Sequence, residues 1–219
     1  MKVGVFDSGI GGLSVARSIE RAFPSADVIY VHDAEHMPYG TKTVEEIYNC
    51  ALPKIKQLYE SSCDIIVLAC NTVTMTNQAR FEAEFDVPFV GLRPMVKPAA
   101  KTTKSKKIIV CATPATLASG RYQSIKQDYA NGVHAYEPDC ADWAMLIEAN
   151  IITEERIRQS IEPGIAAGAD VIVLACTHYH WIEQHIRRLA GPNITVLQPE
   201  MAVIETIRSF YKPNTTDLN

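Results

Sequence analysis

One segment of the chain occurs twice. Residues 64–72 read Asp-Ile-Ile-Val-Leu-Ala-Cys-Asn-Thr, and residues 170–178 read Asp-Val-Ile-Val-Leu-Ala-Cys-Thr-His. Their cysteines, Cys70 and Cys176, stand 106 positions apart (176 − 70) in a chain of 219. A nearly continuous apolar run is what a strand covered on both faces requires. Such a run closing on cysteine in each half predicts two similar halves whose thiols face a shared cleft. Two thiols on opposite sides of a substrate can take a proton from one face and return it to the other.

The repeat reaches further back. Lys2-Val-Gly-Val-Phe-Asp7-Ser8 has a counterpart in Lys107-Ile-Ile-Val-Cys-Ala-Thr113, so each half begins with a strand that ends in small hydroxyl-bearing residues. Strand-like runs rich in Val and Ile fall near residues 2–6, 27–32, 64–70, 87–91, 107–111, 133–136, 170–175 and 194–198. Helical patterns lie between them, at 13–23, 44–60 and 154–167, the last with Thr153 as N-cap and Glu154 and Glu155 at its positive end. Alternating strands and helices predict parallel sheets flanked by helices. Ligands of such sheets bind beyond the carboxyl ends of the strands, where both cysteines fall. The fold expected is α/β with two pseudo-symmetric domains, 1–96 with 207–219 and 97–206, and the active site in the cleft between them. The proline- and lysine-containing stretch 93–106 reads as the crossing point, with Lys101, Lys104, Lys106 and Lys107 solvated.

Composition narrows the function. The net charge of −4 gives no basic footprint for nucleic acid. No apolar stretch approaches the roughly 18–20 residues of a membrane span, and the amino terminus does not read as a leader. A cytoplasmic protein is expected, its six cysteines free rather than a disulfide framework. Cys50, Cys63 and Cys111 read as core residues.

Several strand ends carry chemistry. The glycine-rich turn Asp7-Ser8-Gly9-Ile10-Gly11-Gly12 offers backbone amides to an anion, although Ser14 stands where a dinucleotide fingerprint needs its third glycine. Asp7 there can also be read as a helix cap and nothing more. Asn71, Thr72, Thr177 and His178 put short donors beside the thiols. Pro38-Tyr39-Gly40-Thr41 combines a rigid turn, an aromatic hydroxyl and a free amide, and is either a plain loop or a substrate contact. His178, His180 and His185 crowd Cys176, and His32 and His36 follow the second strand. No C-x-x-C or H-E-x-x-H spacing accompanies them, and no metal site is expected.

Taken together, Val5-Phe-Asp-Ser-Gly-Ile-Gly-Gly-Leu13, Pro38-Tyr-Gly-Thr-Lys42, Ala69-Cys-Asn-Thr72, Ala112-Thr113 with Thr116, and Cys176-Thr-His-Tyr179 resemble the aspartate/glutamate racemase superfamily, most of all its bacterial glutamate racemases. The resemblance spans nearly the whole chain. It implies an isomerase that interconverts the enantiomers of an amino acid without a cofactor, supplies D-glutamate for peptidoglycan, and forms a homodimer. It implies Cys70 and Cys176 as the two acid/bases, with Asp7, His178 and Glu148 assisting. Ser8, Tyr39 and Gly40, with Pro38 in the same turn, would meet the side-chain carboxylate. Asn71, Thr72, Thr113, Thr116 and Thr177 would hold the α-carboxylate and amino group. The chain departs from the pattern at Asp33-Ala-Glu-His36, at Arg93-Pro-Met95, at His180-Trp-Ile182 and at Gln198-Pro-Glu200. These departures leave aspartate or another polar amino acid open as substrate, and a non-catalytic ligand-binding or regulatory relative as the alternative.

Overall fold

The computed structural model describes residues 1–210. Eight strands form two four-stranded parallel sheets. The first holds β1 (Lys2–Asp7), β2 (Asp27–His32), β3 (Ile65–Leu68) and β4 (Phe89–Gly91) in the order β2-β1-β3-β4. The second holds β5 (Lys107–Ala112), β6 (His134–Tyr136), β7 (Val171–Ala175) and β8 (Thr195–Leu197) in the order β6-β5-β7-β8. The two orders are the same topology, with β1 and β3 in the positions of β5 and β7. The duplicated segments therefore occupy equivalent central strands, and every residue of β3 and β7 is buried.

Helices cover both faces of each sheet. On the first sheet, α1 (Leu13–Ala22) seals one face, with Val15, Ala16 and Ile19 against Val3, Val5, Ile65 and Val67. The opposite face is closed by α2 (Val44–Glu60), whose Ile47, Ala51, Ile55 and Leu58 recur at helical spacing, and by α3 (Asn71–Glu84). The start of α2 is a capping box: Thr43 Oγ1 accepts from Glu46 N, and the Glu46 carboxylate accepts from Thr43 N at 2.8 Å. On the second sheet, α8 (Glu154–Ala166) opens at the expected cap, Thr153 Oγ1 accepting from Arg156 N at 3.2 Å. It packs Ile157 and Ile161 against Ile109 and Ile172.

The crossing between halves is shorter than expected. The stretch 93–106 is not one linker, because α4 (Val96–Thr102) already packs Val96 and Ala99 into the second core beside Ile108 and Val110. Lys107 is not part of a solvated run either; it begins β5, and its Nζ donates to Ala167 O at 2.7 Å. The division into 1–96 with 207–219 and 97–206 is kept as a proposal. Around its second boundary, α11 (Glu200–Phe210) already lays Val203, Ile204 and Ile207 on the first sheet. Residues 211–219 of that assignment lie outside the described residues. Among the described residues, no helix is long and apolar enough to cross a membrane. All six cysteines are free, and Cys50, expected in the core, is only half-buried.

Candidate active site

Each thiol sits one step beyond its strand, at the start of a helix. β3 stops at Leu68, and Cys70 occupies the N-cap position of α3; Cys176 follows β7 and caps α9 (Thr177–His180). The cysteines thus lie just beyond the carboxyl ends of their strands, as the apolar runs suggested, and each opens a helix. Both are almost covered, Cys70 at 5% and Cys176 at 7% exposure.

Their surroundings differ. Cys70 Sγ lies 3.4 Å from Ser8 Oγ, and burial together with the nearby Asp7 charge pushes its thiol up to about 12. Cys70 is therefore a protonated thiol near neutrality. Cys176 Sγ lies 3.9 Å from Nδ1 of His178, whose Nε2 is 2.6 Å from the Glu148 carboxylate. Burial pulls the His178 ring down, but its contacts with Cys176 and Glu148 and the charge of Asp7 outweigh it, and the ring is pushed up to about 10. His178 is thus an imidazolium at neutral pH. Glu148 is held below its ordinary range because the His178 contacts outweigh burial.

Packing explains how Glu148 arrives there. It is the last residue of α7 (Trp143–Glu148), and the buried Trp143 ring meets Tyr179 of α9 edge-on, with centroids 5.0 Å apart. Tyr179 is in turn fixed by its hydroxyl donating to Cys140 O at 3.0 Å. Two neighbouring short helices are locked by one aromatic contact, which brings the carboxylate to the imidazole.

Asp7 joins the halves. Fully buried at the end of β1, it accepts from Gly12 N at 2.5 Å and from Thr177 Oγ1 at 3.1 Å. It is therefore both the cap of its own turn and a neighbour of the second half's thiol helix. Burial raises its carboxyl pKa in spite of these donors and of His178. Its Oδ1 is buried with no hydrogen-bond partner among the described residues, as is Oδ1 of Asn71, whose amide donates to Leu92 O. The turn that follows needs glycine: a Cβ on Gly11 would stand 2.7 Å from His178 N and 2.8 Å from Thr177 Oγ1. Ile10 N donates to Glu148 at 3.2 Å across the same junction.

The remaining expected residues fall into two groups. Thr72, Thr113 and Thr116 form a buried hydroxyl chain with steps of 2.9 and 3.0 Å across the halves, linking α3 to α5 (Pro114–Ala118). Pro38, Tyr39 and Gly40 form a turn in which Gly40 faces Thr113 closely, a Cβ there lying 2.7 Å from Thr113 Cβ. The Tyr39 hydroxyl donates to Asp33 at 2.7 Å.

Of the departures, Gln198 caps α11 through Glu200 N at 2.9 Å, and Glu200 accepts from Ser18 of α1, so this segment ties α11 to α1. Arg93 is exposed on a groove of about 410 Å³ shared with Lys97, Tyr129 and Thr206. His180 has both ring nitrogens buried without a partner among the described residues, and burial and His178 lower its pKa to about 4. One contributor escaped sequence reasoning: Tyr30 braces the glycine turn by donating to Gly9 O at 2.6 Å. Its only signal was a tyrosine on an edge strand, which is commonplace.

Two copies of one parallel-sheet topology, each setting a buried thiol at a helix N-terminus, define a two-domain α/β protein with a matched pair of cysteines. The sequence pattern of the Asp/Glu/Hydantoin racemase family matches residues 3–207, and the chain belongs to that family. It is 38% identical over 205 residues to a glutamate racemase of Herpetosiphon aurantiacus, covering 92% of this chain and 81% of that protein. It is 36% identical over 210 residues to a glutamate racemase of Methylococcus capsulatus, covering 94% and 78%. Its fold superposes on the crystal structure of Escherichia coli glutamate racemase in complex with L-glutamate and the activator UDP-MurNAc-Ala. There the TM-score is 0.88 at 26% identity, over 95% of this chain and 81% of that one.

Proposed function

We propose that the protein is a glutamate racemase, interconverting L- and D-glutamate by proton transfer between Cys70 and Cys176 and supplying D-glutamate for peptidoglycan in the cytoplasm. The observation that carries this reading is the pair of thiols just beyond equivalent strands with unlike neighbours, Ser8 and Asp7 at one, His178 and Glu148 at the other.

In one half-cycle the thiolate of one cysteine removes the α-proton and becomes a thiol. The other cysteine, a thiol, delivers its proton to the opposite face of the α-carbon and becomes a thiolate. The roles are then exchanged, so the reverse reaction starts from the state the forward one leaves. His178, a cation held by Glu148, is placed to balance the charge on Cys176 in the half-cycle where that residue is the thiolate, and Asp7 acts on Cys70.

The carbanion-like transition state places charge on the α-carboxylate. Asn71, through its second amide proton, and the Thr72, Thr113 and Thr116 hydroxyls are assigned to it, with Thr177 orienting Asp7 beside them, one well-aimed donor being worth about 3–4 kcal/mol. Ser8 and the Pro38–Tyr39–Gly40 turn are assigned to the side-chain carboxylate. The partnerless Oδ1 atoms of Asp7 and Asn71 suit the substrate ammonium. Assembly is assigned as a homodimer, which light scattering of the purified protein tests.

The decisive experiment is proton NMR in D2O with single enantiomers of glutamate and aspartate. Loss of the α-proton signal with optical inversion for glutamate, absent in Cys70→Ala and in Cys176→Ala, is the expected result. Exchange with aspartate alone would reassign the substrate. A folded, reduced protein that exchanges neither would overturn the reading.

A further inference from the structure

One group of ligand-bearing side chains plays no part in the chemistry above. Among the described residues, Asp33, His36 and Cys50 are the single set of three or more His, Cys, Asp or Glu whose ligand atoms all lie within 4.8 Å of one another. They come from different elements, the loop after β2 and the middle of α2, so the fold rather than local sequence brings them together. Asp33 is buried at 3% exposure, yet its nearest basic group is a histidine, with Nδ1 of His36 2.9 Å from each carboxylate oxygen. Tyr39 donates to the Oδ2 oxygen at 2.7 Å, and Asp33 N donates to Asp7 O at 3.1 Å. The carboxylate is thus oriented from behind, as a ligand held by outer partners is.

We propose that Asp33, His36 and Cys50 form a binding site for one zinc-class divalent cation, its fourth position open to solvent. The donor set selects the metal: thiolate and imidazole disfavour magnesium and calcium, and one oxygen, one nitrogen and one sulfur suit zinc or cobalt. Tetrahedral coordination at zinc bond lengths spaces donor atoms about 3.3–3.8 Å apart. The three atoms are within reach of that spacing, and two of them sit on yielding ground, His36 half exposed in a short turn and Cys50 half-buried. Binding sends the Cys50 thiol proton to solvent, while His36 ligates as a neutral imidazole and keeps one N–H on its other ring nitrogen.

The placement gives the metal a task. Asp33 holds the Tyr39 hydroxyl, and the next residue, Gly40, abuts Thr113 of the second half. A cation on Asp33 would fasten the Tyr39–Gly40 turn to α2, which carries Cys50. This site does not depend on the racemase reading.

The test is titration of the metal-free, reduced full-length protein with cobalt, followed by displacement with zinc. One equivalent should bind and give a thiolate-to-cobalt charge-transfer band. The band should vanish in Cys50→Ser and persist in the Cys70→Ala/Cys176→Ala double variant. Cobalt binding should weaken in His36→Ala by more than roughly tenfold, a loss seen even for outer partners of a metal. Zinc should raise the melting temperature of the wild type and of the double variant, but not of Cys50→Ser. No band in the wild type, a band that survives in Cys50→Ser, or one lost in the double variant would overturn the proposal, the last by placing the metal between the catalytic thiols.

Discussion

Replacing Glu148 by Gln tests the electrostatics of the second thiol. The substitution keeps the shape of the side chain but removes the charge that His178 faces at 2.6 Å. In the wild type the imidazole is raised from 6.5 to about 10, a preference for the cation worth about 5 kcal/mol at 1.36 kcal/mol per tenfold. A group whose folded pKa is raised stabilises the protein fully below its unfolded value and loses that contribution as pH climbs through the folded value. Wild-type stability should therefore decline between pH 6.5 and about 10 from this cause. Glu148 provides part of the effect, Cys176 and Asp7 the rest, and Glu148 is a quarter exposed. We assign the substitution about 2–3 kcal/mol at pH 6, at or below the low end for breaking a buried pair. For a chain of this size that is a drop of about 4–12 °C in melting temperature. Urea unfolding of both proteins across this pH range, with NMR titration of the His178 ring, measures it. The curves should differ most at pH 6 and converge above pH 10. Parallel curves, or a wild-type His178 that titrates near 6.5, would refute the reasoning.

Other outcomes follow from the same geometry. Gly11→Ala sets a methyl against His178 N and should lower racemisation steeply while costing about 1–3 kcal/mol in stability, as overpacking does, measured by kinetics and melting. Thr113→Val cuts the hydroxyl chain between Thr72 and Thr116 and should cost about 1–2 kcal/mol, read chiefly as a higher KM for glutamate. His180→Leu removes a ring whose pKa is depressed, a group whose stabilisation is present above its unfolded value and lost as pH falls through the folded one. The variant should lose less stability than wild type between pH 6.5 and 4, as acid unfolding would show. Either cysteine variant should retain elimination from an amino acid with a good leaving group on its β-carbon, since that reaction needs a single base; a chloride-release assay detects it.

Period and composition were enough to locate all eight strands and the helices α1, α2 and α8, because buried parallel strands and capped amphipathic helices each leave a local mark; α3, at 14 residues longer than α1 or α8, carries no such stripe and escaped. The bounds of α2 agree to the residue, its capping box and apolar stripe being encoded within one segment. What else escaped were features decided between segments. The crossing point was read as long because prolines and lysines disguised α4, two of whose small or branched residues pack into the second core. The pairing of Glu148 with His178 has no local signature either; it is made by the Trp143–Tyr179 contact, 36 positions apart in sequence. The Asp33, His36 and Cys50 group lay hidden for the same reason.

The unlike surroundings of the two thiols have a thermodynamic consequence. Mirror-image substrates have equal free energy, so the equilibrium constant of their interconversion is one, and kcat/KM must be the same in both directions. A protonated Cys70 beside Ser8 and a Cys176 facing an imidazolium cannot bind the two enantiomers alike. Any difference between them must then appear as a compensating pair: the enantiomer held more tightly is turned over more slowly, by the same factor. Equilibrium asks no symmetry of the protein, so the departures from the duplicated scaffold are free to decide which mirror image the resting enzyme prefers to hold.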